Sequence, residues 1–527
     1  MTHRTGAEQL VHTLLDNKVD VCFANPGTSE MHFVAALDKV GAMRCVLGLH
    51  ETVVTGAADG YYRMADKPAA TLLHLGPGLA NGLSNLHNAK KARSGIVNIV
   101  GDHSAEHLKL DAPLTSDIKA LAGVVSQWVH TSQSASDIAT DGAQAVRQAC
   151  GRPGAIATLI LPADVAWSEL AAEGSAAVAP QAPKAAAEPA GAAGAHDMAR
   201  IVQALREDPE HTLILCGDRA TRADCTSLVG RIVAATGCAA RAEFYGARLE
   251  RGAGRVALLR LPYAVAPSLA ILAKFSTVVL VGAKEPVAFF AYPDKPGRLT
   301  APGCRFLTLS TPEDCPRDAL RELCGALGAQ SLPAALLARH ATDAPAQGPL
   351  DSESIGRVLG ATLPDNAIVV DEAISTGRGF DALTLHAAPH DWLTGCGGSI
   401  GFALPAAVGA AIAAPGRRVV ALEGDGSGMY TLQSLWSMAR EQLDVTVLIF
   451  ANRTYGILHG ELAAVGAGAP GARAQDMLNL DRPQIDWSGL AESMGVPAIK
   501  VADIESLSKA LQASYRRHGP MLLEVLL

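Results

Sequence analysis

The residues best suited to chemistry lie in two stretches of the C-terminal quarter, VVALEGDGSGMY and VLIFANRTYGIL. Each is an apolar run that ends in a polar residue: Asp425 between Gly424 and Gly426 in the first, Asn452 in the second. A carboxylate, an amide oxygen and loop carbonyls make an oxygen-only donor set. Such a set suits a hard cation such as Mg²⁺, which takes octahedral oxygen ligation and bridges to phosphates. The glycines let backbone approach a ligand closely. Amides at a helix start attract phosphate. Taken singly, Asp425 and Asn452 each read more simply as a turn former or helix cap. Taken together they say more, because the two runs read as consecutive parallel strands joined by the helical stretch TLQSLWSMAREQ, and consecutive strands are usually neighbours. A dinucleotide-binding G-x-G-x-x-G is the rival reading. Met429 occupies its third glycine position and Gly428 falls one residue off.

The elements that must position these residues alternate along the whole chain. In the first segment VDVCFA, RCVLGL, AATLLHL and IVNIVG read as buried strands. SEMHFVAALDKV, ETVVTGAADGYYRMA and GLANGLSNLHNAKKA read as the helices between them. HTLILCG and FSTVVLVGA mark a second segment; NAIVVDE, RRVVALEGDG, DVTVLIFANR and PMLLEVLL mark a third. Strand–helix alternation of this kind predicts an α/β chain of three doubly wound parallel-sheet domains. The expected boundaries are 1–170, 195–340 and 341–527. The Ala/Pro-rich stretch 171–194 reads as a linker.

Composition narrows the function. The 527 residues are too many for one core. Hydrophobic residues make up 49% and charged residues 18%, which suits a large globular enzyme and argues against disorder. The net charge of −8 comes with no basic block, so no nucleic-acid partner is expected. No apolar run is long enough to predict a membrane span, and the start lacks a secretory pattern. The ten cysteines form no C-x-x-C pair and read as free thiols in a reducing cytoplasm.

The stretch GDGSGMYTLQSLWSMAREQLDVTVLIFAN resembles the signature of thiamine diphosphate enzymes, which opens on GDG and closes on an Asn after a helix and a strand. The resemblance implies that Asp425, the Asn452 side chain and the Thr454 carbonyl hold Mg²⁺. It places Gly426, Ser427 and Tyr455 against the diphosphate. Ala451 stands where the family often has a first asparagine. On periodicity alone Glu51 is an acid at a helix start, stabilised by the dipole. Its context, HETVVTGAADGYYRMADKPA, is similar to the family's E…G-A-A-D-G-Y-x-R segment. That likeness makes Glu51 the carboxyl that promotes the imino form of the aminopyrimidine by sharing a proton there. FANPGTSEMHF resembles the family's N-P-G loop. TGCGGSIGFALPAAVGAAIA resembles the segment that bends the cofactor, with Ile400 as the wedge and the Gly398 carbonyl as an acceptor. In VVDEAISTGR, Ser375 is the phosphate-side candidate. The resemblance further implies the order pyrimidine-binding, middle and diphosphate-binding domains. It also implies a site built from two chains, so a homodimer at least, and commonly a homotetramer.

CGGSIGFALPAAVG and ANRTYGIL look closest to benzoylformate decarboxylase. That likeness implies decarboxylation of a small 2-oxo acid to an aldehyde, with Thr28 on the substrate carboxylate and His74 as proton relay. Without it, His74 reads equally well as a satisfied histidine at a strand end. Leu114 in KLDAPLTSD, Phe289, Phe290, Ile457 and Glu461 are candidate pocket residues. GAKEPVAFFAYPDKPG holds no second active-site histidine. Glu461 falls where that family has an aromatic side chain. It reads first as a solvated loop acid; facing the substrate, it would favour a polar or cationic side chain. An acetolactate-synthase-like carboligase is the alternative, since HLGPGLAN echoes G-P-G-A-T-N. KLDAPLTSD lacks that family's Phe-Gln pair. The short middle segment shows no clear flavin signature, so FAD is not expected. A non-catalytic thiamine diphosphate binder is a third reading, disfavoured by the presence of Glu51.

Overall fold

The structure, a computed structural model, describes residues 4–170, 193–340 and 344–527. Most of the stretch read as a linker, 171–192, lies outside them. The first sheet has six parallel strands: Val21–Asn25 (β1), Arg44–Leu47 (β2), Ala69–Leu73 (β3), Ile96–Asp102 (β4), Trp128–Thr131 (β5) and Ile156–Pro162 (β6). Their order is β2-β1-β3-β4-β6-β5. Strands β3, β4 and β6 are buried throughout. Helices cover both faces of such a sheet, and this explains their largely apolar sequences.

Thr212–Cys216 (β7) and Ala239–Ala242 (β8) belong to a second parallel sheet. Leu249–Arg251 (β9) does not. Thr277–Val281 (β10) and Arg305–Ser310 (β11) complete that sheet in the order β11-β10-β7-β8. The third sheet takes Ala367–Asp371 (β12), His390–Thr394 (β13), Val419–Gly424 (β14), Val445–Ala451 (β15), Ala498–Val501 (β16) and Met521–Leu526 (β17). Its order is β16-β17-β15-β14-β12-β13-β9. Read from β13, its first six strands repeat the first sheet's order. The first and third segments therefore share a topology.

Two expectations need correction. The third sheet is not wholly parallel, because β9 crosses from the middle segment and pairs antiparallel with β13. A three-residue strand carries too little pattern to betray this in sequence. The helix expected over TLQSLWSMAREQ is confined to Ser434–Arg440, and Asp425–Gly428 is a separate single turn. Thr431 lies between them and donates its hydroxyl to the Gly401 carbonyl, a tertiary bond that competes with helix.

The equivalent crossover helices of the two similar sheets, Glu51–Ala65 and Ala403–Ala413, pack on each other. A Cβ on Gly60 would lie 2.1 Å from the Ala406 carbonyl oxygen, and one on Gly409 1.8 Å from that of Ala57. Backbones this close require glycine at both positions. One apolar core runs from Phe23, Leu73 and Val100 to Ile368, Ala421 and Val447.

Arg63 pins the three segments together. It pairs with Asp59 through Nε at 2.8 Å and Nη2 at 2.7 Å. Its Nη1 donates to the carbonyls of Thr394 and Ala247, and its guanidinium covers the Phe402 ring. Both side chains are almost fully buried. Asp59→Ala strands the buried guanidinium and is expected to destabilise the fold by about 3–5 kcal/mol. A drop in the denaturant midpoint measures this; an unchanged midpoint would refute the pin.

Candidate active site

The winding of the first sheet reverses between β1 and β3, and that of the third between β12 and β14. Loops at the carboxyl ends of strands flanking such a switch point form a crevice, the usual ligand site of open α/β sheets. Most of the residues singled out from sequence fall at these two places.

At the first switch point, β1 leads into Asn25-Pro26-Gly27-Thr28 and β3 into His74. His74 Nδ1 lies 2.8 Å from Glu30 Oε2, and the Gly27 amide donates to the same oxygen at 2.9 Å. A carboxylate accepts only, so it fixes the proton of neutral His74 on Nδ1 and leaves Nε2 free to accept. A Cβ on Gly27 would overlap the His74 ring, 2.1 Å from Nδ1. The N-P-G loop thus seats the histidine. Thr28 is exposed beside it.

Glu51 opens the helix that follows β2, with His50 as its cap. It is buried, and Asn81 Nδ2 donates to its Oε2 at 3.0 Å. A Cβ on Gly78 would stand 2.9 Å from Glu51 Oε1 and 3.2 Å from His74 Cβ. Glu51 and His74 therefore flank one glycine of the next helix, Leu75–Ala92. Leu114 is exposed on the loop after β4, at the same edge of the sheet.

At the second switch point lies a cleft of about 460 Å³, open to solvent. Its walls are the loop 372–376 after β12, Ile400, the turn 424–427 after β14, Phe450, and residues 452 and 454–457 after β15. The cleft gathers Ser375, Ile400, Asp425, Gly426, Ser427, Asn452, Thr454, Tyr455 and Ile457. Glu51, His74 and Thr28 do not line it. One chain thus carries two separate groups of candidate residues, each termed a half-site.

Asp425 Oδ2 accepts from the Arg453 amide at 2.6 Å, and Asn452 Oδ1 from the Thr454 amide at 3.1 Å. Between them Arg453 adopts a left-handed φ of 58°, an uncommon conformation for a residue with a side chain. Burial pushes the Asp425 carboxyl above its usual range, opposed by the amides of Arg453 and Gly426. Among the described residues no lysine, arginine or histidine forms an ion pair with it. A Cβ on Gly426 would lie 2.5 Å from the Tyr455 ring. Ser427 borders the cleft, but its hydroxyl donates to the Glu423 carboxylate.

The middle segment leans over this half-site. Gly398 has φ 74°, and a Cβ there would meet the Phe289 ring at 2.6 Å. Phe290 packs edge-on against Phe289. Glu461 is not a free loop acid: Tyr263 Oη and Tyr292 Oη donate to its two oxygens at 3.4 and 2.8 Å. Burial first, then the Glu461 charge, push the Tyr263 hydroxyl up.

Three acids escaped the sequence reading. Glu30 is one. The others, Glu372 and Glu423, end adjacent strands and are buried side by side. Glu372 accepts from the amides of Phe402 and Ala403 at 2.7 and 2.9 Å, and so caps the helix after the Ile400 loop. Glu423 accepts from the Gly424 amide at 2.9 Å. Burial pushes Glu372 up to about 7. Burial and the Glu372 charge push Glu423 well above its ordinary range. A proton shared by the pair would tie the Ile400 loop to the Asp425 turn. The available signal was an acid at the end of two apolar runs, VVDE and ALEGDG.

Two family profiles match the chain. The thiamine pyrophosphate enzyme N-terminal TPP binding domain covers residues 4–134, and the C-terminal TPP binding domain covers 380–525. A Mycobacterium tuberculosis protein provisionally named acetolactate synthase large subunit IlvX is 48% identical, over 99% of this chain and 98% of its own. The benzoylformate decarboxylase of Pseudomonas aeruginosa is 30% identical, over 95% of each. A Rhodococcus jostii thiamine diphosphate-dependent 4-hydroxybenzoylformate decarboxylase superimposes with a TM-score of 0.84 at 24% identity, covering 99% of this chain and 98% of that one. At that identity the likeness speaks for the fold alone. The sequence relatives and the two matched domains say more: the chain belongs to the thiamine pyrophosphate enzymes, in the family of decarboxylases and acetolactate synthases.

Proposed function

We propose that this enzyme uses thiamine diphosphate and Mg²⁺ to decarboxylate a small 2-oxo acid without oxidation, releasing an aldehyde. The observation that carries this reading is the Glu30–His74 pair beside Glu51, a histidine seated with its proton position set. Protonation at carbon needs a relay that can take up a proton at a free ring nitrogen and pass it on.

The second half-site fits the cofactor's charged end. A buried carboxylate with no ion pair among the described residues, an Asn oxygen and loop carbonyls suit Mg²⁺, held by Asp425, Asn452 and the Thr454 carbonyl. Gly426, Ser427, Tyr455 and Ser375 would border the diphosphate. Bound thiamine diphosphate supplies the electron sink for loss of CO₂. Glu51 holds a proton at the pyrimidine nitrogen, fixed in place by Asn81. Ile400 and the Gly398 carbonyl would hold the cofactor's rings. Thr28 offers a hydroxyl to the substrate carboxylate. His74 takes up a proton from solvent at the free Nε2, while Glu30 keeps the Nδ1 proton in place, and passes it on to complete the aldehyde. Leu114, Phe289, Phe290, Ile457 and Glu461 shape the pocket.

The half-sites lie at separate switch points, which fits their completion by a second copy: a homodimer at least, and a homotetramer by family habit. The ten free cysteines suit a reducing cytoplasm. Among the described residues no helix is long and apolar enough to cross a membrane.

A carboligase is the second reading, favoured by the 48% identity to the acetolactate synthase relative. A panel of pyruvate, branched, aromatic and cationic 2-oxo acids, given with thiamine diphosphate and Mg²⁺, separates the two. CO₂ release matched by aldehyde is expected. Accumulation of a hydroxyketone would transfer the assignment to the carboligase, and absence of CO₂ from every acid would overturn both.

A further inference from the structure

Ile457 borders the cleft, and Glu461 lies one turn further along the same helix, Gly456–Ala464. Residues four apart share a helix face. Glu461 therefore stands on the cleft side, one turn out from the Asn452 loop. Both its hydrogen-bond partners, Tyr263 and Tyr292, are neutral. Among the described residues it forms no ion pair. Two cations are near Tyr292 instead. Lys295 Nζ lies 4.8 Å from that ring's centre, and the Arg378 charge acts on its hydroxyl.

The aromatic surface continues inward. Tyr263 packs against Phe289 with ring centres 5.7 Å apart, and Phe289 covers Gly398. Tyr245 and Phe290 extend the cluster at 5.4 and 4.6 Å from Phe289. A wall of rings thus runs from the loop that follows β13 to a half-buried carboxylate. A carboxylate held only by neutral donors is costly. Its two oxygens carry about four acceptor positions, of which the tyrosines use two. Aromatic faces and a carboxylate together attract an organic cation.

We infer that Glu461 selects a 2-oxo acid whose far end carries an ammonium or guanidinium group, its chain lying along the Phe289–Tyr263 wall. This rests on the 2-oxo acid reading above and names the substrate class for it. Two measurements on the holoenzyme test it separately. The first compares kcat/KM for 5-guanidino-2-oxopentanoate, 2-oxoheptanoate and 4-hydroxybenzoylformate. Wild type is expected to prefer the guanidino acid by about tenfold or more, and Glu461→Gln to cut that preference by about tenfold. A ratio that Glu461→Gln leaves unmoved, or a wild-type preference for either neutral acid, overturns the inference. The second measures calorimetric binding of 4-guanidinobutyrate against pentanoate, neither of which can react. Tighter binding of the guanidino acid that is lost in Glu461→Gln supports the cation site even if no 2-oxo acid turns over. Equal binding of the two overturns it.

Discussion

Replacing Glu51 by Gln is expected to lower kcat by about 10²–10⁴-fold, the range for loss of a positioned acid–base group. The substitution is mild structurally. A glutamine at the start of this helix keeps the length, the cap from His50 and an oxygen for Asn81. Gly78 leaves space for either terminal group. What is lost is the ability to hold and release a proton. Affinity for thiamine diphosphate should survive, because the diphosphate grip belongs to the other half-site. Calorimetric binding and turnover at saturating cofactor separate the two effects. Unchanged turnover would exclude Glu51 from the chemistry and revive the non-catalytic binder.

Asp425→Asn is expected to fail the other way, by losing the cofactor. The asparagine retains an oxygen for the Arg453 amide, so the left-handed turn at Arg453 keeps its support. It removes the one carboxylate of the proposed donor set. Loss of a mere supporting partner of a metal ligand costs about 10–100-fold in affinity, so loss of this ligand should exceed about a hundredfold for Mg²⁺ and thiamine diphosphate together. Excess Mg²⁺ should recover part of the turnover. Wild-type affinity in this variant would remove Asp425 from the metal site. Together the two variants separate grip from chemistry: Glu51→Gln binds and does not turn over, and Asp425→Asn turns over only where cofactor is forced in.

Much of this was legible in the chain. The strands that position the site are apolar runs of five to seven residues with sharp ends, such as AATLL, IVNIVGD and VTVLIFA. Asp425, Asn452 and Ser375 follow such runs directly or within a few residues, so their loops could be placed at carboxyl ends without coordinates. What sequence could not supply was adjacency across the winding reversal. Glu30 meets His74 only because β1 and β3 are neighbours although β2 comes between them in the chain. Glu372 meets Glu423 for the same reason, across β12 and β14. The strands β5 and β13, in SQWVHT and HDWLTG, carry polar residues and gave no clean pattern. The polar residues of β13 are explained by partners: Asp391 is held by Arg248 and Arg417, and His390 Nδ1 by the Ala388 carbonyl. Glu461 was readable as an acid near the pocket, but its tyrosine partners come from the middle segment, 198 and 169 residues away.

The central claim is that the Glu51 half-site of one copy and the Asp425 half-site of another grip a single cofactor. Co-expression of Glu51→Gln and Asp425→Asn chains, purified through two different tags as heterodimers, tests it directly. A shared site predicts that one of the two sites in each heterodimer is intact, restoring about half of wild-type turnover from two inactive parents. Heterodimers no more active than either parent would contradict it, since a site confined to one chain leaves every copy defective.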